Sequence, residues 1–288
     1  MIKCIVIRGG GDLATGVIHA LVQSGLRCVV LEVPAPAAIR RKVALCEAVY
    51  QQQASVEGVT ARLCGSAQQA AELLRQESGP VVPLLVDPEC TFLAEASAAG
   101  IQVTALIDAI IAKQNLGTTK AMAPVTIALG PGFTAGSGPG ADTDAVIETM
   151  RGHNLSRIIT EGSAVPNTGV PGVIGGFSSE RVIHAPAAGI IHLAHDIGDT
   201  VKKGEPLASI ESAEGQVTVP ASLDGILRGI IRDGYEVFNG MKIADIDPRI
   251  SEQKNCFTIS DKSRALGNSA LHALLMIAHI KGVDIWNS

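Results

Sequence analysis

Ala188-Gly189-Ile190-Ile191, then Ile197-Gly198-Asp199-Thr200-Val201, then Gly204, Leu207, Ala208 and Ile210 form a pattern that occurs twice. It returns at constant spacing as Asp224-Gly225-Ile226-Leu227, Asp233-Gly234-Tyr235-Glu236-Val237, Gly240, Ile243, Ala244 and Ile246. The repeated glycines fall where turns are needed, and the repeated aliphatics fall where alternating strands bury one face. Agreement at so many positions of a single offset marks an internal duplication. Residues 181–248 are therefore expected to fold as a small β-barrel of two half-repeats, inserted into the rest of the chain or appended to it.

Two half-repeats of this kind build the barrels of biotinyl and lipoyl domains, where a hairpin displays the lysine that carries the cofactor. In biotinyl domains that hairpin reads E-A-M-K-M, shortly before a D-G turn. The corresponding stretch here, upstream of Asp224-Gly225, is Glu211-Ser212-Ala213-Glu214-Gly215. Glu214 stands where the lysine would, and a carboxylate cannot form the amide link. The barrel is read as a support or docking module that carries neither biotin nor lipoate.

Outward from the barrel, the chain alternates short apolar runs with helical spacing. Ile5-Val6-Ile7, Cys28-Val29-Val30-Leu31, Val59 to Leu63, Leu84-Leu85-Val86 and Val103 to Ile107 read as strands. Leu13 to Ser24, Ala37 to Tyr50, Ala67 to Glu77 and Thr91 to Ala99 read as helices between them. Strands alternating with helices predict an α/β fold with a parallel sheet, here of the Rossmann-like kind, over residues 1–122. Residues 123–180 form a glycine-rich segment: a strand at Val125–Leu129, the loop Gly130–Gly140, a helix at Asp142–Met150, a strand at Arg157–Thr160 and a second loop at Glu161–Gly176. Residues 249–288 end in a helix from about Asn268 to Ile280 that docks on the sheet.

Bulk properties exclude several classes. Of 288 residues, 47% are hydrophobic and 18% charged, with a net charge of −5. That charge gives no general attraction to nucleic acid or acidic membranes, and aromatics at 3% leave little for base stacking. The start of the chain does not read as a signal peptide and no apolar run reaches membrane length, so a cytoplasmic location is expected. The six cysteines are scattered without a CxxC pair, which fits buried thiols rather than disulfides or a zinc cage. His192 and His195 lack a carboxylate at ligand spacing, and no nucleophile elbow is present, so no metal site or catalytic residue is assigned.

The first candidate binding site is Gly9-Gly10-Gly11-Asp12-Leu13-Ala14, which matches G-x-G-x-x-A between a strand and a helix. Its glycines permit a tight turn and close approach of a pyrophosphate, and the small Ala14 permits close helix packing. Glu32 ends the second strand, where such folds bind ribose hydroxyls. The other reading is a turn kept for packing, and Asp12 would repel phosphate unless it caps the helix. A second candidate is the Gly130–Gly140 loop, with Gly130, Gly132, Phe133 and Thr134, followed by Arg151 and His153. It lacks the G-K-[ST] ending of an ATP-hydrolysing loop. Arg40, next to Arg41 and Lys42, and the pair Lys113 and Asn115 are placed to reach an anion, or simply line solvated faces.

Taken together, these stretches resemble the YqeB family of selenium-dependent molybdenum hydroxylase maturation proteins, with distant likeness to XdhC-type factors. The resemblance spans Arg8–Gly16, Ala38–Arg41, Val86–Pro88, Asp108–Thr118, Leu129–Gly136, Glu148–Leu155, Glu161–Ala164, Pro166–Gly169 and Phe257–Lys262. One departure is the insertion-like Ser137–Ala141 after the glycine loop. The resemblance implies a cytoplasmic accessory factor in the maturation of a molybdenum hydroxylase, acting on its apoenzyme. With the glycine turns, the leading expectation is that it binds a nucleotide-bearing molybdenum cofactor in its dinucleotide form, or another dinucleotide, and helps deliver or modify it. Two alternatives stand beside it: an NAD(P)-linked oxidoreductase, and a scaffold that recruits the hydroxylase through the barrel. Homo-oligomerisation is left open.

Overall fold

The structure is a computed structural model that describes residues 1–76, 79–169 and 172–287. Two compact units emerge, and neither is contiguous in sequence. Residues 1–36, 44–167 and 259–288 form one, and residues 37–43 and 168–258 the other. The glycine-rich segment thus belongs mainly with the sheet, while its last residues belong with the barrel.

The first unit runs β1 (Ile2–Arg8), α1 (Asp12–Gln23), β2 (Cys28–Glu32), α2 (Ala48–Gln51), β3 (Gln53–Val56), β4 (Val59–Cys64) and α3 (Ala67–Gln76). It continues β5 (Val81–Val86), α4 (Phe92–Glu95), β6 (Ile101–Asp108), β7 (Val125–Leu129), β8 (Thr134–Ala135), β9 (Ala145–Ile147), β10 (Ile158–Ile159) and β11 (Gly162–Ser163), and closes with α5 (Asp261–Lys281). The sheet order is β10-β9-β7-β6-β1-β2-β5-β4-β3, with parallel pairs inside and antiparallel pairs at both edges. Residues of period two on β1 and β2 divide between the faces. Cys4, Val6, Val29 and Leu31 pack with α3 and the α4 turn, while α1 and α5 pack together.

This topology corrects the Rossmann-like expectation. A doubly wound dinucleotide fold joins its strands in each half by crossover helices and lays them out as 3-2-1-4-5-6. Here β2 is followed by the β3–β4 hairpin at the sheet edge, and β5 returns inside it to pair with β2. No α-helix joins β6 to β7 or β7 to β9. The face of β7 and β9 is covered instead by α5, which arrives from far along the chain.

Three local expectations also change. The helix expected over Ala37–Tyr50 is two 3-10 turns, Arg41–Val43 and Leu45–Glu47, followed by the short α2. Residues 37–43 pack with the barrel unit instead. The hairpin that follows turns on Glu57 and Gly58, with φ of 44° and 84°, the left-handed pair that a two-residue turn requires. The helix expected over Asp142–Met150 is β9, because Ala145-Val146-Ile147 is a fully buried run paired parallel to β7. The Thr91–Ala99 helix shrinks to α4. The expected end of α3 at Glu77, and Val170 and Pro171 in the second glycine loop, lie outside the described residues.

The C-terminal helix is longer than expected. Ser260 caps it, its hydroxyl accepting from Ser263 N. Where α5 crosses α1, Gly16 and Gly267 meet so closely that a Cβ on Gly267 would stand 2.2 Å from Gly16 O. Ser263 Oγ donates to Asp12 O at 2.6 Å beside the crossing.

The second unit comprises β12 (Val182–His184), β13 (Gly189–Leu193), β14 (Thr200–Val201), β15 (Pro206–Ser212), β16 (Gly215–Pro220), β17 (Gly225–Ile230), β18 (Glu236–Val237) and β19 (Lys242–Asp247). They form two four-stranded sheets, β12-β19-β17-β14 and β16-β15-β13-β18. The duplication predicts this core position by position. Ile191 and Leu227, Val201 and Val237, Leu207 and Ile243, Ala208 and Ala244, and Ile210 and Ile246 are all buried. Gly189 and Gly225 are equivalent too: a Cβ on either would collide with a carbonyl, Glu211 O at 2.1 Å or Asp247 O at 2.4 Å.

No described helix is long and apolar enough to cross a membrane. Replacing Gly267 with Ala should force α1 and α5 apart and lower stability by about 3 kcal/mol, as overpacked contacts do. Urea unfolding measures this, and an unchanged midpoint would show that the helices tolerate the extra atom.

Candidate functional site

Several parallel strands of the first unit end along one edge at or next to a charged residue or a glycine. Arg8 closes β1, Glu32 β2 and Asp108 β6, with Gly130 just after β7 and Glu148 just after β9. Arg8 holds this edge together. Its Nη1 donates to Thr118 Oγ1 at 2.5 Å and lies 3.4 Å from Asp108 Oδ2. Its Nη2 donates to the carbonyls of Pro88 and Leu116, at 3.2 and 3.1 Å. One guanidinium therefore ties the loops after β5 and β6 to β1. Burial raises the Asp108 carboxyl above its ordinary range, despite hydrogen bonds from Thr118 and Ile110 N and the charge of Arg8.

The loop held by Arg8 has an uncommon backbone. Ile111 and Lys113 adopt φ of 60° and 64°, a conformation costly for any side chain and most so for a β-branched one. Asn115 fixes the far end: it donates to Thr118 O at 2.9 Å and to Asp142 Oδ1 at 3.1 Å, and accepts from Thr118 N at 2.8 Å. Asp142 Oδ2 accepts from Thr134 N at 2.8 Å, which links this loop to the glycine loop. The two loops touch at Gly132, where a Cβ would lie 2.5 Å from Gln114 Cα. Gly130 is equally constrained, by Thr149 Oγ1 at 2.8 Å from its would-be Cβ. Lys113, on the first of these loops, is exposed.

Other predicted residues take different roles. Phe133 is buried with Ala128, Ala135, Val146 and Ala164, and so anchors the glycine loop rather than facing a ligand. Thr134 is exposed, and its hydroxyl pairs with Ser163 Oγ at 3.1 Å. Arg151 makes two bonds of 3.0 Å to Asp261 at the start of α5, and His153 is exposed. Arg40 is buried in the second unit, donating to the carbonyls of Asn255 and Thr258 at 3.1 and 3.2 Å. Arg41 bonds there too, to Ile230 O, and both Arg41 and Lys42 pair with Asp196.

At the first turn, the glycines serve close packing of the chain on itself. A Cβ on Gly9 would lie 3.0 Å from Ile110 Cα, and one on Gly10 3.0 Å from Cys46 N. Gly10 N, the donor expected to meet a pyrophosphate, donates to Glu32 Oε2 at 2.7 Å, and Val33 N donates to Oε1 at 2.8 Å. Only Gly11 faces open space. Gly11 is the N-cap of α1 and Asp12 its first residue, with no side-chain cap. Leu13 is half-buried and Ala14 buried against the helix packing. Burial raises the Glu32 carboxyl against the pull of those two amides. Burial also pushes the Cys46 thiol well up, and the Glu32, Glu47 and Asp12 carboxylates add to that. The turn is thus lined by negative charge, which opposes a phosphate.

All six cysteines are free and buried, and burial raises Cys4 to about 12. Among the described residues no cluster of three or more His, Cys, Asp or Glu side chains is placed to hold a metal. Sequence reasoning assigned no role to Arg8, Asp108 and Thr118. Part of the signal was present, a charged residue closing an apolar run in each of two strands, but neither their burial nor the adjacency of the strands was readable.

In the barrel, β15 and β16 form a hairpin with Ser212 opposite Gly215, leaving Ala213 and Glu214 exposed at its tip. Ser212 Oγ donates to Gly215 O at 2.7 Å and fixes the turn.

Comparison with known proteins adds three findings. Residues 180–246 match the family described as "Biotin-requiring enzyme". Over 277 residues, 96% of the chain, the sequence is 48% identical to the uncharacterized protein YqeB of Escherichia coli (strain K12). The chain spans 48% of that relative's length. Among solved structures it is similar to the ectoine utilization protein EutE (DoeB) of Ruegeria pomeroyi, with 14% identity, 85% coverage of both chains and a TM-score of 0.25. It is also similar to a succinylglutamate desuccinylase/aspartoacylase of Rhodobacter sphaeroides, with 12% identity, 85% coverage of both and a TM-score of 0.26. These TM-scores are too low to carry an argument about fold or function.

Two outcomes follow for this geometry. Replacing Arg8 with Met leaves Asp108 buried without its cation and should cost about 3–5 kcal/mol; adding Asp108→Asn should recover part of it, and equal urea midpoints for the single and double variants would refute the pairing. Intact mass after co-expression with biotin and lipoate ligases should show no added cofactor, and any adduct on the barrel would overturn the reading of Glu214.

Proposed function

The chain belongs to the YqeB family, and on that premise we propose that it is a cofactor-handling accessory protein for a selenium-dependent molybdenum hydroxylase. In this reading it holds an anionic, nucleotide-bearing ligand, the dinucleotide form of molybdenum cofactor, at the carboxyl edge of the sheet. Ligands of open α/β sheets gather at that edge. The observation that carries the reading is the pair of apposed loops, residues 109–118 and 130–136. Their backbones are fixed by Arg8, Asn115 and Asp142, they meet at Gly132 and Gln114, and Lys113 on the first of them is exposed. Strained, over-determined backbone of this kind is characteristic of ligand clamps.

The donor set favours these loops over the first turn. An anion at Gly10 would have to displace the Glu32 carboxylate, whereas at the second pair of loops it meets an exposed cation. The same contact weakens the NAD(P)-linked alternative, which needs a free pyrophosphate turn and a ribose-binding acid. The barrel, with Glu214 in place of a carrier lysine, is left to serve as a surface for the hydroxylase apoenzyme.

Titration calorimetry with pyrophosphate, CDP, GDP and NADH tests the reading. Lys113→Glu should weaken pyrophosphate and nucleoside diphosphate binding about ten-fold or more, a change of about 1.4 kcal/mol. Glu32→Gln should leave it unchanged. Binding that ignores Lys113, or strengthens on removing Glu32, would transfer the site to the first turn and defeat the proposal.

A further inference from the structure

We infer that the barrel joins a second copy of this chain through the free edge of β16, so that one sheet of each copy runs on into the other. A sheet edge presents unpaired N–H and C=O groups and templates another strand. Chains that stay single blunt their edges by keeping them short, charged or bent. Every other sheet edge among the described residues is two to four residues long. The β16 edge has six residues, Gly215–Pro220, and none of them is charged.

The ladder shows which groups are free. Ile191 N donates to Tyr235 O at 3.1 Å and Ile191 O accepts from Gly234 N at 2.8 Å, so this residue turns towards β18. Its neighbours Ile190 and His192 turn towards β15, opposite Glu211 and Ser209. The alternation then turns Ile210 and Ser212 towards β16, opposite Val217 and Gly215. The peptide groups of Gln216 and Thr218 therefore point away from β15. Both residues are exposed, and no described strand lies beyond them.

This edge is complementary to itself. Two β16 strands laid antiparallel, with Val217 on the two-fold axis, set Gln216 opposite Thr218 of the second copy. Each such pair exchanges two hydrogen bonds, so two pairs make four. A register centred on Thr218 would instead bring Gln216 to Pro220, which has no N–H. On the inner face, the row Ile191, Ile210, Val217 would continue into the same row of the second copy and cover the half-buried Val217. On the outer face, Glu211 and Gln216 would be followed by Thr218 and Ser209 of the second copy, so no two like charges adjoin. Bonding, apolar surface and charge are thus all matched by the strand's own rotated image, as an isologous contact requires. A contact of one strand per copy belongs with the weak interfaces below about 1,200 Å². The association is therefore reversible and grows with concentration.

The test uses the whole chain. Sedimentation of the unaltered protein should show a monomer that passes to a dimer as concentration rises. Thr218→Pro removes two of the four bonds without touching the β15 ladder, and should weaken association about ten-fold or more. Thr218→Val keeps the N–H and should leave it unchanged. Register is read by oxidising cysteine variants with diamide. Val217→Cys meets its own copy across a close pair of about 4.5 Å between Cα atoms, within disulfide reach, and should give a covalent dimer. Gln216→Cys lies diagonally from its own copy, about 7–8 Å away, and should not. A monomer at every concentration, a dimer that survives in folded Thr218→Pro, or equal cross-linking of the two cysteine variants would each overturn the inference.

Discussion

The carboxyl edge of the sheet depends on one buried cation. Arg8 lies where β1, the central strand, runs out, and its guanidinium is spread over two backbone carbonyls, a hydroxyl and a carboxylate. Parallel sheets leave their strand ends to loops, and loops carry peptide groups that must be satisfied. Without α-helices after β6 and β7, the usual source of that satisfaction is missing here. Arg8 supplies it, and in doing so fixes the loop that carries Ile111 and Lys113 in a conformation it would not adopt alone. The strain at the proposed ligand clamp and the buried ion pair beneath it are therefore one arrangement. The hydrogen bonds of Arg8 to Leu116 O and Thr118 Oγ1 hold the loop that carries the left-handed residues.

The first glycine turn shows the opposite use of similar residues. A G-x-G-x-x-A stretch after a strand is compatible with a phosphate cradle and with close packing alike, because both need backbone that can approach another group. What separates them is whether the approaching group is a ligand or the chain itself. Here Ile110 and Cys46 pack against Gly9 and Gly10, and Glu32 occupies the donor that a phosphate would use. The negative surroundings of Cys46 are a direct result of that closure.

Different parts of the fold were legible in the sequence to very different degrees. The barrel was readable almost residue by residue, since duplication doubles every signal and glycine at Gly189 and Gly225 has a steric cause that acts twice. The strands of the sheet were readable from apolar runs. Their order was not, because order depends on connections, and the decisive ones run without helices. Residues 142–150 were misread because Ala145-Val146-Ile147 is too short for periodicity to separate strand from helix. The hairpin at Glu57-Gly58 was missed because glutamate is an uncommon occupant of a left-handed turn position. At the candidate site, Lys113, Asn115 and Gly132 were singled out, while Arg8 was not, since nothing in a single sequence says that a charge after a strand is buried.

The crossing of α1 and α5 has a consequence for how the molecule comes into being. α1 is synthesised well before α5, which is made only after the whole barrel has been synthesised. Until then, the faces of β7 and β9 and one side of α1 have no cover, and the Gly16 groove stands open to solvent. Contacts of such long sequence separation fold slowly and leave apolar surface exposed in the interval. The duplicated barrel, whose contacts are local, can complete itself meanwhile. The nascent chain is thus expected to pass through a stage with a finished barrel and an unsealed sheet, a natural client for chaperones that shield apolar surface.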